Sequence, residues 1–304
     1  MFIILANDGI AESAKQELER LGYQVDTTKY EGESLHQRLK EVDCLVVRSA
    51  TKVRQPEIDA AAEGGRLKLI IRAGVGIDNI DVDYAKQHGI EVTNTPAASS
   101  NAVAELVIGH MLSLARHIAS ANRSMARGEW LKKQYDGTEI MGKTLGIIGL
   151  GRIGRTLAEK AQALGMKVIY FDLFRFEEGE AEHGWAYKSM DEVLAEADYI
   201  SLHLPFTGEA VITEETFAKM KDGVYIIQAA RGGVIDEEAL VRAIESGKVA
   251  GAALDVFERE PLDKPELMNC DRLSLTPHIG AATQEAQDRI GDNIVSIVSS
   301  HFPI

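Results

Sequence analysis

Apolar residues in this chain come in short continuous runs, separated by longer stretches where they recur at helical spacing. Phe2 to Leu5, Tyr23 to Asp26, Cys44 to Val47, Leu69 to Ile71 and Glu91 to Thr93 read as β-strands. The intervening Glu12 to Leu21 and Glu57 to Ala62 read as helices. Strands that are apolar throughout, rather than alternating, suit a parallel sheet covered on both faces. The first ninety or so residues therefore form one α/β layer structure.

The pattern changes after Ser99 and Ser100, either of which can serve as an N-cap. From Asn101 to Ile118 the segment is apolar over much of its circumference, as a helix buried between two bodies would be. A domain crossing is expected just before it. A second α/β series runs from Thr144 to about Pro277, and the amphipathic segment Gln284 to Val298 can return the chain to its first domain. The expected domains are residues 1–98 with 282–304, and residues 99–281.

Composition narrows the possibilities. The 304 residues, 45% hydrophobic and 26% charged, suffice for one large or two ordinary cores. A formal charge of -14 argues against a broad nucleic-acid or anionic-membrane surface, so an anionic ligand must be met by a local pocket. No low-complexity tract, fixed-period repeat or long flexible linker is evident. Met1 leads directly into a strand-like run, with neither a basic leader nor an apolar span of membrane length. Cys44 and Cys270 make no disulfide framework, and a reducing cytoplasm is the expected compartment.

The most informative stretch is Leu145 to Asp172, where strand, glycine turn, helix and second strand follow in order. Gly149 permits the tight turn, Gly151 lets the backbone approach a pyrophosphate, and Gly154 allows close helix-to-strand packing. Asp172 closes the second strand roughly twenty residues on, where a carboxylate can bond ribose hydroxyls and repel a 2′-phosphate. The bland alternative is a structural turn and a helix cap. Arg175 leaves some NADP use open, because a guanidinium there could take the extra phosphate.

Three later segments bring polar groups to the ends of strands, where open α/β sheets hold their ligands. They are Ala229 to Asp236, containing Arg231; Leu254 to Pro261, containing Glu260; and Leu275 to Ala281, containing His278. With Arg72 to Asp81 and Ser201 to Pro205, they resemble the D-2-hydroxyacid dehydrogenase family over nearly the whole chain and in its order. The resemblance implies two doubly wound parallel-sheet domains, a Rossmann NAD-binding domain and a flavodoxin-like substrate domain, with a cleft between them.

It also implies roles. Arg231 would hold the substrate carboxylate and keto oxygen, His278 would exchange the hydroxyl proton, and Glu260 would pair with His278. NAD would meet Gly149, Gly151, Arg152, Ile153 and Gly154 at its pyrophosphate and Asp172 at its ribose. Val75, His203, Leu204, Pro205, Ala229, Ala230, Asp255 and Gly280 would line it together with Arg231 and His278. Arg48, Ser49, Arg72, Ala73, Gly74, Val75 and Asn101 would surround the substrate. The chemistry agrees: oxidising a secondary alcohol needs a base for the O–H proton, which imidazole supplies near neutral pH. Arg offers a planar fork to a carboxylate that Lys does not reproduce.

Singly, each of these residues has an ordinary reading as a loop histidine, a solvated carboxylate or a surface ion-pair partner. Their joint presence in three motifs favours the functional one. His110 and His117, inside the buried-helix segment, read as packing residues, and the imidazole of His203 is not the one the family uses. No His, Cys or carboxylate spacing suggests zinc.

Arg48 and Arg72 each end a strand of the first domain. Together with Arg231 they could neutralise a substrate carrying both a carboxylate and a phosphate. Ordinary ion pairing is the alternative. Val75 stands between two glycines where some relatives have Thr, and the chain ends at Ile304 without room for the C-terminal regulatory domain of several relatives. Feedback through such a domain is not expected. The segment after Ile118, with Trp130 and Lys132, resembles the arm through which family members dimerise, implying a homodimer. Reduction of unphosphorylated keto acids such as glyoxylate or hydroxypyruvate is an alternative on this scaffold. A non-catalytic NAD sensor is another.

Overall fold

The computed structural model describes all 304 residues, which divide into two compact units, Met1–Ser100 with Ala281–Ile304 and Asn101–Gly280. The first is built on five strands: β1 (Ile3–Ala6), β2 (Gln24–Asp26), β3 (Cys44–Val47), β4 (Leu69–Arg72) and β5 (Glu91–Asn94). They lie in the order β2-β1-β3-β4-β5, every pair parallel. All four residues of β3 are fully buried, as the continuous apolar run requires of a central strand covered on both faces. One cover is the C-terminal helix Gln284–His301, whose Ile290, Ile294 and Val298 form a helical stripe against Ile4, Leu18 and Val46.

The second unit holds seven strands: β6 (Thr144–Ile148), β7 (Lys167–Phe171), β8 (Ala186–Tyr187), β9 (Tyr199–Leu202), β10 (Val224–Gln228), β11 (Val249–Leu254) and β12 (Leu273–Leu275). Their order is β12-β11-β10-β9-β6-β7-β8, again all parallel. This is the doubly wound arrangement with its strand order reversing between β6 and β9, the place where such sheets accept ligands. The first sheet reverses between β1 and β3.

Some elements depart from the pattern. The expected helix at Glu57 to Ala62 extends to Gln55–Gly64, because Pro56 fits its first turn and Gly65 terminates it in the left-handed conformation at φ 66°. Two short polar helices, Gly32–Leu39 and Val82–Gln87, carry too little apolar periodicity to stand out. The single helix expected over Asn101 to Ile118 is instead two, Ser100–Ala115 and Ile118–Ala126, bent by 66°. His117 sits at the break with φ 53°, and the Ala115 carbonyl freed there accepts the amide of Thr138 at 2.9 Å. His117 is thus a partly exposed hinge residue rather than a packed one, while His110 is buried. No single helix is long and apolar enough to cross a membrane.

Candidate active site

Because the seven strands run one way, the loops after β6, β7, β9, β10, β11 and β12 all leave from one edge of the sheet. Backbone hydrogen bonds carry the ladder past the strand ends and tie those loops together. Gly149 donates to Phe171 (2.8 Å), His203 to Ile148 (2.8 Å), Asp255 to Gln228 (2.9 Å) and Thr276 to Leu254 (3.0 Å). The sheet itself therefore assembles motifs that are far apart in sequence.

The β6 turn fits a dinucleotide. Gly149 has φ 95°, and a Cβ on it would stand 2.7 Å from the His203 carbonyl oxygen; one on Gly154 would stand 2.5 Å from the Gly149 oxygen. Side chains there would push the helix Arg152–Ala163 off the turn. Gly151, the N-cap of that helix, faces open space, so its N-terminal amides are available to a pyrophosphate. Asp172 stands at the same turn, accepting the amides of Leu150 (2.6 Å) and Phe174 (3.0 Å). Arg175 is engaged elsewhere: its guanidinium closes on Glu180 through bonds of 2.8 and 2.7 Å. That bond, with the Tyr170 hydroxyl, holds the Glu180 carboxyl down to about 2. A 2′-phosphate would have to displace this pair.

Just past β9, the ring of His203 meets the Ser201 hydroxyl through Nε2 at 2.9 Å, while Nδ1 is buried without a partner. Burial holds this imidazole down to about 4, so it is neutral near pH 7. It contributes shape and a backbone wall to the turn rather than charge.

At the ends of β10 to β12 stand the three catalytic candidates. Buried Gln228 accepts the Ala230 amide (3.1 Å) and donates to the Arg231 carbonyl (2.8 Å), and the Arg231 guanidinium donates to the Ala230 carbonyl (2.6 Å). The Glu260 carboxylate accepts the Phe257 amide at 3.2 Å and meets His278 Nδ1 at 2.8 Å. Since a carboxylate only accepts, Nδ1 carries the proton, which leaves Nε2 as the ring's basic position. The two side chains are 37% and 39% exposed, within reach of a small acid. His278 adopts φ 54°, outside the usual range for a side-chain-bearing residue.

Gln228 was not singled out by sequence, although an amide closing the otherwise apolar run Val224–Ile227 is a signal. Asp255 is 1% exposed and accepts Thr276 Oγ1 (2.6 Å) and the amides of Ile279 and Gly280 (both 2.8 Å). Asn101, a substrate candidate, belongs to this unit and donates to Glu105 on its own helix at 2.8 Å.

The remaining substrate candidates belong to the first unit. Val47 and Arg72 are register partners, so Arg48 and Arg72 emerge beside each other at the ends of β3 and β4. Gly74, at φ 143°, allows the Arg72 guanidinium to fold over it and donate to the Ala73 carbonyl at 3.0 Å; a Cβ there would stand 1.6 Å from Nη1. Asn94 secures the loop through the Val75 carbonyl. The Arg48 loop is clamped by Asp8, which accepts the amides of Arg48 (2.7 Å) and Thr51 (3.0 Å), the Thr51 hydroxyl (2.7 Å) and Lys29 (2.6 Å). Burial alone would raise the Asp8 pKa, but these donors outweigh it and hold it below the ordinary value. The Arg48 guanidinium itself donates to Gln287, a neutral partner that leaves its charge uncompensated, and its buried Nε has no partner.

Comparison with known proteins identifies the family. Residues 108–280 match the D-isomer specific 2-hydroxyacid dehydrogenase NAD binding domain. A hydroxypyruvate reductase of Thermotoga maritima is 48% identical, covering 95% of this chain and 93% of that one. A D-3-phosphoglycerate dehydrogenase of Methanocaldococcus jannaschii is 45% identical over 96% of this chain but 56% of its own length. The chain thus spans about half the length of the relatives of that name. The solved D-lactate dehydrogenase of Aquifex aeolicus, complexed with NAD and lactic acid, has a TM-score of 0.84 and 33% identity, covering 98% of this chain and 95% of that one. The chain belongs to the D-isomer specific 2-hydroxyacid dehydrogenase family. It is an NAD-dependent oxidoreductase of small 2-hydroxy acids.

Proposed function

We propose that this dehydrogenase oxidises 3-phospho-D-glycerate to 3-phosphooxypyruvate, the entry to serine synthesis. The observation that carries the proposal is the placement of Arg48 and Arg72 side by side at register-paired strand ends, with the Arg48 guanidinium bonded to the neutral Gln287. A phosphate brings about -1.5 to -2 and the carboxylate one more charge, which three guanidinium groups, Arg48, Arg72 and Arg231, match.

NAD, when held at the Gly149 to Gly154 turn and by Asp172, would supply the acceptor for the hydride released as the C2–H bond breaks. As that bond breaks, His278 Nε2 takes the hydroxyl proton, and Glu260 stabilises the resulting imidazolium through Nδ1–H. Arg231 orients the carboxylate and the oxygen that becomes the carbonyl. In the reverse direction the same imidazolium returns the proton.

Replacing Arg48 with Ala should raise the Michaelis constant for 3-phospho-D-glycerate by about ten- to a hundredfold, the loss of one charged hydrogen bond. Steady-state kinetics with hydroxypyruvate in parallel should show little change, and equal effects on both acids would remove the phosphate role. Reduction of unphosphorylated hydroxypyruvate is the second reading, favoured by the nearly end-to-end likeness to the Thermotoga reductase. Turnover of hydroxypyruvate with none of the phosphorylated acid would select it.

A homodimer is part of the proposal. Ile118, Met125 and Trp130 in the arm are 53%, 54% and 77% exposed, leaving an apolar surface that a second copy would cover. Sedimentation should give two chains per particle, and a monomer at working concentration would refute it.

A further inference from the structure

His110 lies within the helix Ser100–Ala115 and is 5% exposed. Its ring spans two hydroxyls, Ser274 Oγ at 3.1 Å from Nδ1 and Thr276 Oγ1 at 3.2 Å from Nε2. The direction of these bonds follows from the far end of the chain. Thr276 has one hydroxyl proton, and at 2.6 Å from Asp255 Oδ1 it must donate to a carboxylate that can only accept. Thr276 can therefore only accept from His110, which places the ring proton on Nε2. A neutral ring then accepts the Ser274 proton at Nδ1. Burial disfavours the charged ring and outweighs the attraction of Asp255, which agrees with this neutral tautomer.

The donors thus run in one sense, Ser274 to His110 to Thr276 to Asp255. Both Asp255 oxygens are in turn held by the amides of Ile279 and Gly280, the two residues that follow His278. Such an aligned chain is stronger than its separate bonds. It bears on the one residue of this loop with an unfavourable backbone: His278 keeps φ 54° only where the surroundings dictate it. A further restraint, beside the Glu260 bond to the ring, is the His278 amide on the Thr276 carbonyl at 3.0 Å, which comes from the same threonine.

We propose that His110 is a positioning residue for His278, acting through Thr276 and Asp255 by supplying the hydrogen bond that fixes the Thr276 hydroxyl on the Asp255 carboxylate. This rests on the reading of His278 as the proton-exchanging group. It assigns a buried histidine that takes no part in the chemistry a measurable effect on the rate.

The test uses the full chain with NADH and hydroxypyruvate or 3-phosphooxypyruvate, whichever is turned over faster. His110→Gln keeps a donor for Thr276, whereas His110→Asn is too short to supply it. The Asn variant should lower kcat about five- to tenfold, with the Michaelis constant and NADH dissociation constant held within about twofold. The Gln variant should stay close to wild type. Thr276→Val should lower kcat at least as far, and adding His110→Asn to it should cost nothing more, because the path is already cut. An unchanged rate in His110→Asn, equal losses in Asn and Gln, multiplying losses in the double variant, or a change confined to NADH binding would each overturn the proposal. If the Asn variant does not fold, His110→Leu, alone and in combination with Thr276→Val, decides the matter by the same criteria. His278→Asn is run alongside: if it retains full turnover the catalytic reading itself fails, and if it alone is inactive only the role of His110 is lost.

Discussion

Replacing His278 with Asn lowers kcat by about a thousandfold while NADH still binds, when turnover and NADH fluorescence titration are measured on the same preparation. The expectation follows from which end of the ring is occupied. Nδ1 is committed to Glu260 at 2.8 Å, and an Asn amide can donate to the same carboxylate. The loop therefore keeps its tie, and what disappears is the basic Nε2. The turn at Gly149 to Gly154 and Asp172, where we propose the dinucleotide is chiefly held, are left alone by the substitution. Glu260→Gln is a milder change, because Gln still accepts from Nδ1–H and preserves the tautomer but no longer stabilises imidazolium; about a ten- to hundredfold loss is expected. A His278→Asn enzyme with near-normal turnover would show that the proton goes to another group.

The two sheets could be read in the sequence because their central strands are buried on both faces. Cys44–Val47 and Leu145–Ile148 are buried runs without a polar side chain. The short helices at Gly32 and Val82 left no such mark, and the break at His117 was hidden because the apolar pattern runs on through it. What bends the chain there is a partner distant in sequence, the Thr138 amide on the Ala115 carbonyl.

The site divides in the same way. The glycine turn and Asp172 belong to one strand-helix-strand unit, so their spacing alone carries a physical meaning. His278 and Glu260 lie 18 residues apart on loops after different strands, and only likeness to a family could pair them in advance. Asp8 and Thr276 gave no warning, and Gln228 only the faint one of an amide closing an apolar strand. Each is a single polar residue at or just beyond a strand end, and its role arises from which strand the sheet order sets beside it. A carboxylate such as Asp8, holding four donors from two segments distant from it in sequence, is a product of topology rather than of motif.

Arg231 is where substrate class and catalysis can be separated. Its turn is tied from within by Gln228, and its guanidinium already donates to the Ala230 carbonyl at 2.6 Å, so the fork approaches a ligand from a fixed direction. Arg231→Lys keeps the positive charge but replaces the planar fork with a point charge on a flexible stem, losing about one of two charged hydrogen bonds. At about 1.5 to 3 kcal/mol for such a bond, kcat/KM should fall roughly ten- to a hundredfold. Arg231→Ala, which loses both bonds, should cost about a thousandfold or more. Every 2-hydroxy acid presents a carboxylate, the group we propose Arg231 holds, so these losses should be the same for phosphorylated and unphosphorylated substrates, in contrast to the selective effect expected at Arg48. A loss at Arg231 confined to the phosphorylated acid would assign it to the phosphate instead, and the carboxylate would then need a different partner.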